Sequence, residues 1–265
     1  MTPDEIEAAG AALFEAEQTG RQIGLLTVAH PDIDMDDAYA VQAAFCERKR
    51  AAGAIVTGWK IGLTSKAMQQ ALQIDTPDSG ILFDDMHFDT GATVPAGRFI
   101  QPRIEAEIAF VMKSDLSGDI SRDDVLAATE YVAPSLEILD TRILRKDPDS
   151  GAPRRICDTI SDNAANAGLV LGRERHPVDA FDLRWTGAIV ARDGEVEETG
   201  LGAGVLNDPA MGIVWLVRRL AQYGQGISAG QVVLSGSFIR PIEAPSGCHV
   251  FADFGTFGSV DISFG

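Results

Sequence analysis

Two acidic residues in one apolar segment are the first candidates for chemistry. In RIEAEIAFVM, residues 103–112, apolar residues occupy every second position, and Glu105 and Glu107 fall between them. Side chains of a β-strand alternate between its faces, so a strand here places both glutamates on one face. Ala109 and Val111 continue that face with apolar groups, which predicts that it is covered rather than exposed. Because buried carboxylates need partners, this strand predicts a functional site.

A third glutamate repeats the arrangement. In APSLEILD, residues 133–140, Glu137 lies between Leu136 and Ile138. If Glu137 converges with Glu105 and Glu107, the repulsion among the three carboxylates must be relieved by protonation or by a divalent cation. Ligation by carboxylate oxygens suits Mg²⁺ or Mn²⁺ better than zinc. We therefore predict a metal site, with unrelated surface or ion-paired acids as the alternative.

Lys60 is the second unusual residue, because it lies between Trp59 and Ile61 in GWKIGLTSK. A lysine in such a run often only extends its charged end into solvent. The functional interpretation is a partly buried ammonium that binds a substrate anion or moves a proton, its pKa adjusted by nearby acids.

Composition limits the classes of partner. The chain has 265 residues, 45% hydrophobic content and a formal net charge of -17, which argues against nucleic acid or an anionic membrane as partner. The N-terminus has acids where a signal peptide has basic residues, and no apolar run approaches the roughly 20 residues of a membrane span. We therefore expect a cytoplasmic protein. Its three cysteines are widely spaced and indicate neither a disulfide framework nor a zinc site.

The elements that must position these residues follow from the turn and capping signals. The capping box TPDE begins a helix that ends at Gly20, and a second helix is predicted from near Asp36 to Gly53. A third is predicted between Asp208 as N-cap and Gly224 as C-cap. From about residue 57 onward, short apolar or alternating runs predict a strand-rich body; the runs are WKIGL, GILFD, IEAEIAFVM, APSLEIL, GLVLG, WTGAIVA, GQVVLSGSF, CHVFADF and GSVDISF.

Other sequence motifs indicate less. Asp193-Gly194 predicts a β-hairpin. TGLGAGV has its third glycine one residue short of the dinucleotide-binding spacing, and we interpret it as a flexible turn. The four histidines are isolated, and the sequence has no HExxH, GxSxG or phosphate-loop motif. The candidate chemistry is thereby limited to carboxylates, lysine and hydroxyls.

Several segments in combination resemble a known family. GWKIGLTSKAMQQ, DTPDSGILFDDM, PRIEAEIAF, APSLEILDTR and DTISDNAANAG together are similar to the hydratase and decarboxylase family of aromatic meta-cleavage pathways, within the fumarylacetoacetate hydrolase superfamily. The similarity covers nearly the whole chain. ISDNAANAG after the insertion RKDPDSGAPRR resembles the branch that acts on a seven-carbon 2-oxo dicarboxylate, and the 2-hydroxypentadienoate hydratases look like the next branch.

The resemblance implies roles for particular residues. The family's metal-binding glutamates match the three found above, and its KxG lysine matches Lys60. The acid and the serine implicated in proton transfer or water activation match Asp78 in TPDSG and Ser161 in TISDN. Their ordinary alternatives are a turn residue and a cap for the following segment. Ser237 in LSGSF falls in a loop that approaches the substrate in the superfamily.

The implied fold is mixed α/β, a curved, sandwich-like β-roll with a helical N-terminal region. We expect residues 1–56 to form that helical region and residues 57–265 the catalytic domain. The implied reaction is Mg²⁺- or Mn²⁺-dependent hydration of 2-oxo-hept-4-ene-1,7-dioate to 4-hydroxy-2-oxoheptanedioate, without an organic cofactor. The family also forms homo-oligomers, up to decamers.

Other functions remain open at this point. The decarboxylase branch acts on 4-oxalocrotonate and shares the metal site and the lysine, although DTISDNAANAG argues against it. A carbon–carbon hydrolase of the fumarylpyruvate type needs a His-Glu pair that AHPDIDM, around His30, does not offer. A metal-stabilised binding or structural protein is the alternative that is not an enzyme.

A basic segment is the candidate for selecting a diacid. In a protein this acidic, a second carboxylate remote from the metal needs fixed basic residues to bind it. TRILRKDPDSGAPRR contains four arginines, and Arg154 and Arg155 lie in the insertion that resembles the diacid branch. We expect these two to hold the distal carboxylate, although charged loops with Pro and Gly are usually solvated. Arg142 lies near Glu137 in sequence and is a further candidate for the site.

Overall fold

Two long helices begin at the capping residues that the sequence contains. In a computed structural model, which describes residues 1–66, 69–70 and 74–265, the Thr2 hydroxyl accepts a hydrogen bond from the Glu5 amide at the start of the first helix. Asp34 caps the second long helix in the same way. The α-helices are α1 (Pro3–Thr19), α2 (Leu26–Ala29), α3 (Met35–Ala51), α4 (Arg122–Ala128), α5 (Ile156–Ser161) and α6 (Pro209–Ala221). Ala67 and Met68 of the GWKIGLTSKAMQQ motif lie outside the described residues.

Every apolar run from which a strand was predicted contains one. The strands are β1 (Val56–Gly62), β2 (Asp78–Phe83), β3 (His87–Asp89), β4 (Thr93–Val94), β5 (Arg103–Met112), β6 (Thr129–Leu139), β7 (Asn166–Leu171), β8 (Gly187–Arg192), β9 (Glu195–Leu201), β10 (Val232–Leu234), β11 (Ile242–Glu243), β12 (His249–Asp253) and β13 (Ser259–Phe264). Asp193 and Gly194 connect β8 to β9 with φ values of 53° and 87°, which confirms the predicted hairpin.

The strands form two sheets in the described part of the chain. One has eight strands in the order β2-β1-β10-β5-β6-β7-β3, with β11 paired to β5, and the other has five in the order β4-β13-β12-β8-β9. Pairs β1–β10, β3–β7 and β4–β13 are parallel, and the remaining pairs are antiparallel. The predicted mixed α/β fold is confirmed.

One apolar core joins the helices to both sheets. It contains Leu13 of α1, Phe45 of α3, Ile104 of β5 and Val250 of β12. The opposite face of β5 carries the glutamates, and the smaller apolar cluster beside them contains Ala109 and five other buried residues. Helix α3 ends at Ala51 and β1 begins at Val56, near the boundary expected at residue 56. The division into two domains stays a prediction.

The helices differ from the predictions in two respects. Helices α2, α4 and α5 are shorter than the window of about 11–18 residues over which a repeating apolar period can be recognised, and the sequence patterns did not predict them. Asp208 caps α6 as expected, but Gln222 rather than Gly224 ends it, so that prediction was wrong. Gly224 lies in the turn that follows, with φ of 67°. Within the described residues, no helix is both long and apolar enough to cross a membrane.

The pairing of β1 with β10 gives the first testable prediction. A Cβ atom on buried Gly58 would lie 1.9 Å from the Val232 carbonyl oxygen in the neighbouring strand. Gly58→Ala should therefore lower the free energy of unfolding by about 1–3 kcal/mol. The control is Gly24→Ala, because a Cβ there meets nothing within 4 Å and should change stability by less than about 0.5 kcal/mol. Denaturant unfolding curves measure both changes, and equal free energies of unfolding for Gly58→Ala and Gly24→Ala would contradict the described pairing.

Candidate metal and substrate site

The three glutamates lie together because of the pairing register between β5 and β6. Glu105 is directly opposite Glu137, and Glu107 is opposite Ser135 on the same face. Carboxylate oxygens of the three glutamates lie within 4.8 Å of one another. Residues directly opposite in antiparallel strands are close neighbours, so this register alone brings acids from two distant segments together.

The electrostatics of this cluster favour a cation. Burial, followed by the neighbouring Glu137 carboxylate, raises the pKa of Glu105 to about 8. Burial also raises the pKa values of Glu107 and Glu137, and the pKa of Glu107 lies well above the ordinary value for a glutamate. Among the described residues, Glu107 Oε1 and Glu137 Oε2 have no hydrogen-bond partner although both are buried. Buried carboxylate oxygens without partners, at this spacing, fit a hard divalent ion such as Mg²⁺.

Lys60 extends toward the same cluster from β1. It pairs with Leu234 of β10, which pairs with Ala109 of β5, so Lys60 and the glutamates share one face of the sheet. Its Nζ lies 3.3 Å from Glu137 Oε1 and donates a hydrogen bond of 3.0 Å to the Ala164 carbonyl. The side chain is 3% exposed, which excludes a lysine that merely reaches solvent.

Asp78 and Gly62 complete the surroundings of the ammonium. Burial opposes the charged form of Lys60, but Glu137 and then Asp78 outweigh it and raise the lysine pKa above its ordinary value. Burial raises the pKa of Asp78, with Lys60 acting in the opposite direction. Asp78 Oδ1 has no partner within the described part of the chain. A Cβ atom on Gly62 would lie 2.2 Å from this oxygen and 2.9 Å from Lys60 Nζ, so the KxG glycine leaves room for both groups.

A left-handed turn supplies two more contacts. Residues 163–165 have φ values of 52°, 53° and 57°, a conformation that costs roughly 1–2 kcal/mol per residue other than glycine. The turn directs the Ala164 carbonyl to Lys60. Asn166, the first residue of β7, follows it and donates a 2.7 Å hydrogen bond to Glu137 Oε1. The DNAANAG motif therefore fixes both the lysine and one candidate metal ligand.

The basic segment folds mostly into structural contacts. Buried Asp162 binds Arg142 through an ion pair and a 2.9 Å bond from the Arg142 amide, and it lies 3.0 Å from Arg154 Nη2. Arg154 also lines the cavity described below, whereas Arg155 is exposed and is not on the cavity wall. Ser161 is fully buried, its hydroxyl has no partner among the described residues, and it too is not on that wall.

A cavity of about 230 Å³ leads from the surface to the cluster. Five of the predicted residues line it: Lys60, Asp78, Glu105, Arg154 and Ser237. The other two glutamates are not on the wall, but their carboxylate oxygens lie within 4.8 Å of that of Glu105. The Ser237 loop also contacts the cluster, because the Gly236 amide donates a 2.8 Å hydrogen bond to Glu107. Four arginines are also on the wall: Arg103, Arg145 and Arg240, which are partly or largely exposed, and Arg154, which is mostly buried.

Sequence reasoning missed some residues of this site. Asn166, Gly236, Arg103 and Arg240 were given no role, although DNAANAG and LSGSF were both noted as motifs. Arg103 directly precedes the alternating apolar run on the face of the two glutamates, and that period-two signal could have identified it. So far as the described residues show, no histidine lines the cavity.

Proteins named as hydratases resemble the chain over nearly its whole length. It is 48% identical to 2-oxo-hept-4-ene-1,7-dioate hydratase of Escherichia coli, over 95% of both chains. It is 38% identical to 2-keto-4-pentenoate hydratase of Paraburkholderia xenovorans (strain LB400), over 94% of this chain and 93% of the relative. No family model matches the sequence.

Solved structures show the same relationship. The 4-oxalocrotonate decarboxylase from Pseudomonas putida G7, complexed with magnesium and adipate, superposes with a TM-score of 0.92 at 31% identity, covering 100% of this chain and 98% of that one. Fumarylpyruvate hydrolase from Pseudomonas aeruginosa, in complex with Mn²⁺ and pyruvate, has a TM-score of 0.57 at 13% identity, over 78% and 88% of the two chains. That second likeness extends to the fold alone. The chain belongs to the hydratase and decarboxylase family of aromatic meta-cleavage pathways, and it has the fold of the fumarylacetoacetate hydrolase superfamily.

Proposed function

We propose that the protein is a divalent-metal-dependent hydratase that converts 2-oxo-hept-4-ene-1,7-dioate into 4-hydroxy-2-oxoheptanedioate. The observation that carries the proposal is the buried cluster of Glu105, Glu107 and Glu137 beside Lys60, at the inner end of a cavity whose wall contains four arginines. The hydratase relative that is 48% identical supports the choice of substrate.

The three glutamates would hold Mg²⁺ or Mn²⁺ with water completing the shell. When bound, the metal ion acts as a Lewis acid toward the adjacent carboxylate and keto oxygens of a 2-oxo acid. Lys60 stabilises the negative charge that develops on the C2 oxygen, because its ammonium is held 3.3 Å from Glu137 and cannot turn to solvent. Ser237 and Arg154, both on the cavity wall, contact the substrate.

The reaction needs three proton transfers and one addition of a water oxygen to carbon. A proton leaves C3 and another is added at C5, which converts the 4-ene into the conjugated 2-oxo-3-ene. The oxygen of water then bonds to C4, and its proton ends on C3. Asp78 is the proton carrier in this proposal, because it lines the cavity and its Oδ1 has no partner in the described part of the chain. Ser161 and Arg155 take no direct part in the proposed reaction, since neither is on the cavity wall.

The proposal extends to assembly and location. We place the enzyme in the cytoplasm as a homo-oligomer, as the sequence predicted. What supports the oligomer is the outer face of the five-stranded sheet, where the exposed apolar side chains are Ile189, Val196, Leu201 and Phe251. Sedimentation of the purified protein measures the number of copies.

Decarboxylation of 4-oxalocrotonate is the second candidate. The observation in its favour is the TM-score of 0.92 to a decarboxylase bound to magnesium and adipate. Loss of CO₂ from a 2-oxo-enoate also places negative charge on the C2 oxygen, so the same metal site and lysine would serve it.

The reaction itself is the decisive test. The purified protein is incubated with Mg²⁺ and, separately, with the seven-carbon dienoate, 2-hydroxypentadienoate and 4-oxalocrotonate, and products are identified by mass. We expect gain of water, fastest with the seven-carbon diacid. Loss of CO₂ identifies the decarboxylase, cleavage a hydrolase, and no change with any substrate a protein that is not an enzyme of this class.

Metal dependence gives a separate prediction. Glu107→Gln should weaken Mg²⁺ binding by at least about tenfold, because even partners outside the ligand shell contribute 10–100-fold to metal affinity. The readout is the rise in melting temperature with Mg²⁺ concentration, and Glu130→Gln, an exposed glutamate of β6, is the control. Excess chelator should abolish turnover, and full activity in its presence would exclude the metal mechanism.

Lys60→Met tests the ammonium. The substitution keeps most of the buried stem and removes the charge, so the fold should survive while kcat falls by about a hundred- to a thousandfold. Mg²⁺ affinity should not fall, because the ion pair with Glu137 is a competing interaction. Lys113→Met, at an exposed lysine, should leave kcat unchanged. A Lys60→Met enzyme with near-normal kcat would remove the lysine from the mechanism.

A further inference from the structure

Two arginines on the cavity wall share one glutamate. Arg103 Nε lies 2.7 Å and Arg145 Nη1 lies 2.8 Å from the same oxygen, Oε1 of Glu243. Arg145 Nη2 also donates a 2.8 Å hydrogen bond to the Gln101 carbonyl. Each guanidinium side chain remains about one-third exposed, at 34% and 32%. Both are therefore fixed in direction and still accessible from the cavity.

Their charges are only partly neutralised. Two guanidiniums face one carboxylate, which leaves one positive charge in excess at this place. The other two arginines on the wall differ. Arg154 shares the fully buried Asp162 with Arg142, but Glu17 also pairs with Arg142, so two acids balance these two arginines, and Arg240 forms an ion pair with Glu198. Within the described residues, the pair sharing Glu243 is thus the part of the wall best able to attract an anion.

The distance along β5 matches a diacid. Arg103 and Glu105 lie two residues apart on one strand and share a face, which separates their Cα atoms by about 6.8 Å. The six bonds between the carboxyl carbons of an extended seven-carbon chain span a comparable length. A substrate whose 2-oxo acid end lies at the glutamates would therefore place its other carboxylate beside Arg103.

We propose that Arg103 and Arg145 bind the distal carboxylate and thereby select a diacid over a monoacid. The inference rests on the proposed function for its class of substrate. It moves the selecting role from Arg154 and Arg155 to the shared pair, because Arg154 is paired with buried Asp162 and Arg155 is exposed and off the cavity wall. Glu243 acts as a positioning residue that holds the two guanidiniums side by side, and a carboxylate can then accept bonds from both.

Binding of two unreactive ligands tests the inference. Calorimetry with the Mg²⁺-loaded protein compares 2-oxoheptanedioate with 2-oxopentanoate, which lacks the distal carboxylate. Arg145→Met should weaken binding of the dioate by about ten- to a hundredfold and that of the monoacid by less than about twofold. Arg50→Met, an exposed arginine of α3, is the matched control and should change neither.

A second variant keeps the test decisive if Arg145→Met folds poorly. Arg145→Lys retains the charge, but lysine has no planar fork that could contact Glu243, Gln101 and a ligand together. Its affinity for the dioate should therefore lie between that of the unmutated protein and that of Arg145→Met. Equal losses for both ligands, no loss, or a selective loss in Arg155→Met instead would overturn the assignment. Because neither ligand reacts, dioate binding that depends on Arg145 without any hydratase activity would refute the proposed function alone.

Discussion

Repulsion among three clustered carboxylates, two of them fully buried, is the constraint on which the site depends. At an effective dielectric constant of about 20, two unit charges about 5 Å apart repel by roughly 3 kcal/mol, and the cluster contains three such pairs. Lys60, Asn166 and the Gly236 amide each offset part of this repulsion. Two oxygens still have no partner among the described residues, which is what makes the cluster a strong receptor for a divalent cation.

The scaffold can hold so unfavourable a cluster because its groups belong to different, mutually braced elements. Strand register places the glutamates and Lys60 on one face, and the strained turn at residues 163–165 bonds to Lys60 through the Ala164 carbonyl. Asn163 fixes the turn, since its side chain accepts a bond from the Ile81 amide and donates one to the Ile81 carbonyl of β2. Burial of the large apolar core on the opposite face of β5 offsets the free-energy cost of this strain.

The sequence predicted the strands and the chemistry of the site better than its geometry. Alternation in RIEAEIAFVM identifies which face Glu105 occupies, because the period of a strand is a local property. That Glu137 lies opposite Glu105 depends on pairing between segments about thirty residues apart, and one residue of slippage would send Glu137 to the other face. The sequence also could not predict that Arg155 lies off the cavity wall, because a basic loop has no periodicity from which the direction of its side chains follows.

Different electrostatic effects act at the two ends of the cavity, which we call the rim, where Arg103 and Arg145 lie, and the inner end, where the glutamates lie. Charges that are exposed to solvent are screened over about 8–10 Å, so the net charge of -17 hardly reaches a ligand already inside the cavity. There, a few fixed guanidiniums decide which anion is held, and the acidic exterior affects mainly how fast a dianion arrives. Choice of substrate can therefore diverge at the rim, where arginines such as Arg103 and Arg145 contact no candidate metal ligand directly, without disturbing the cluster that the chemistry requires.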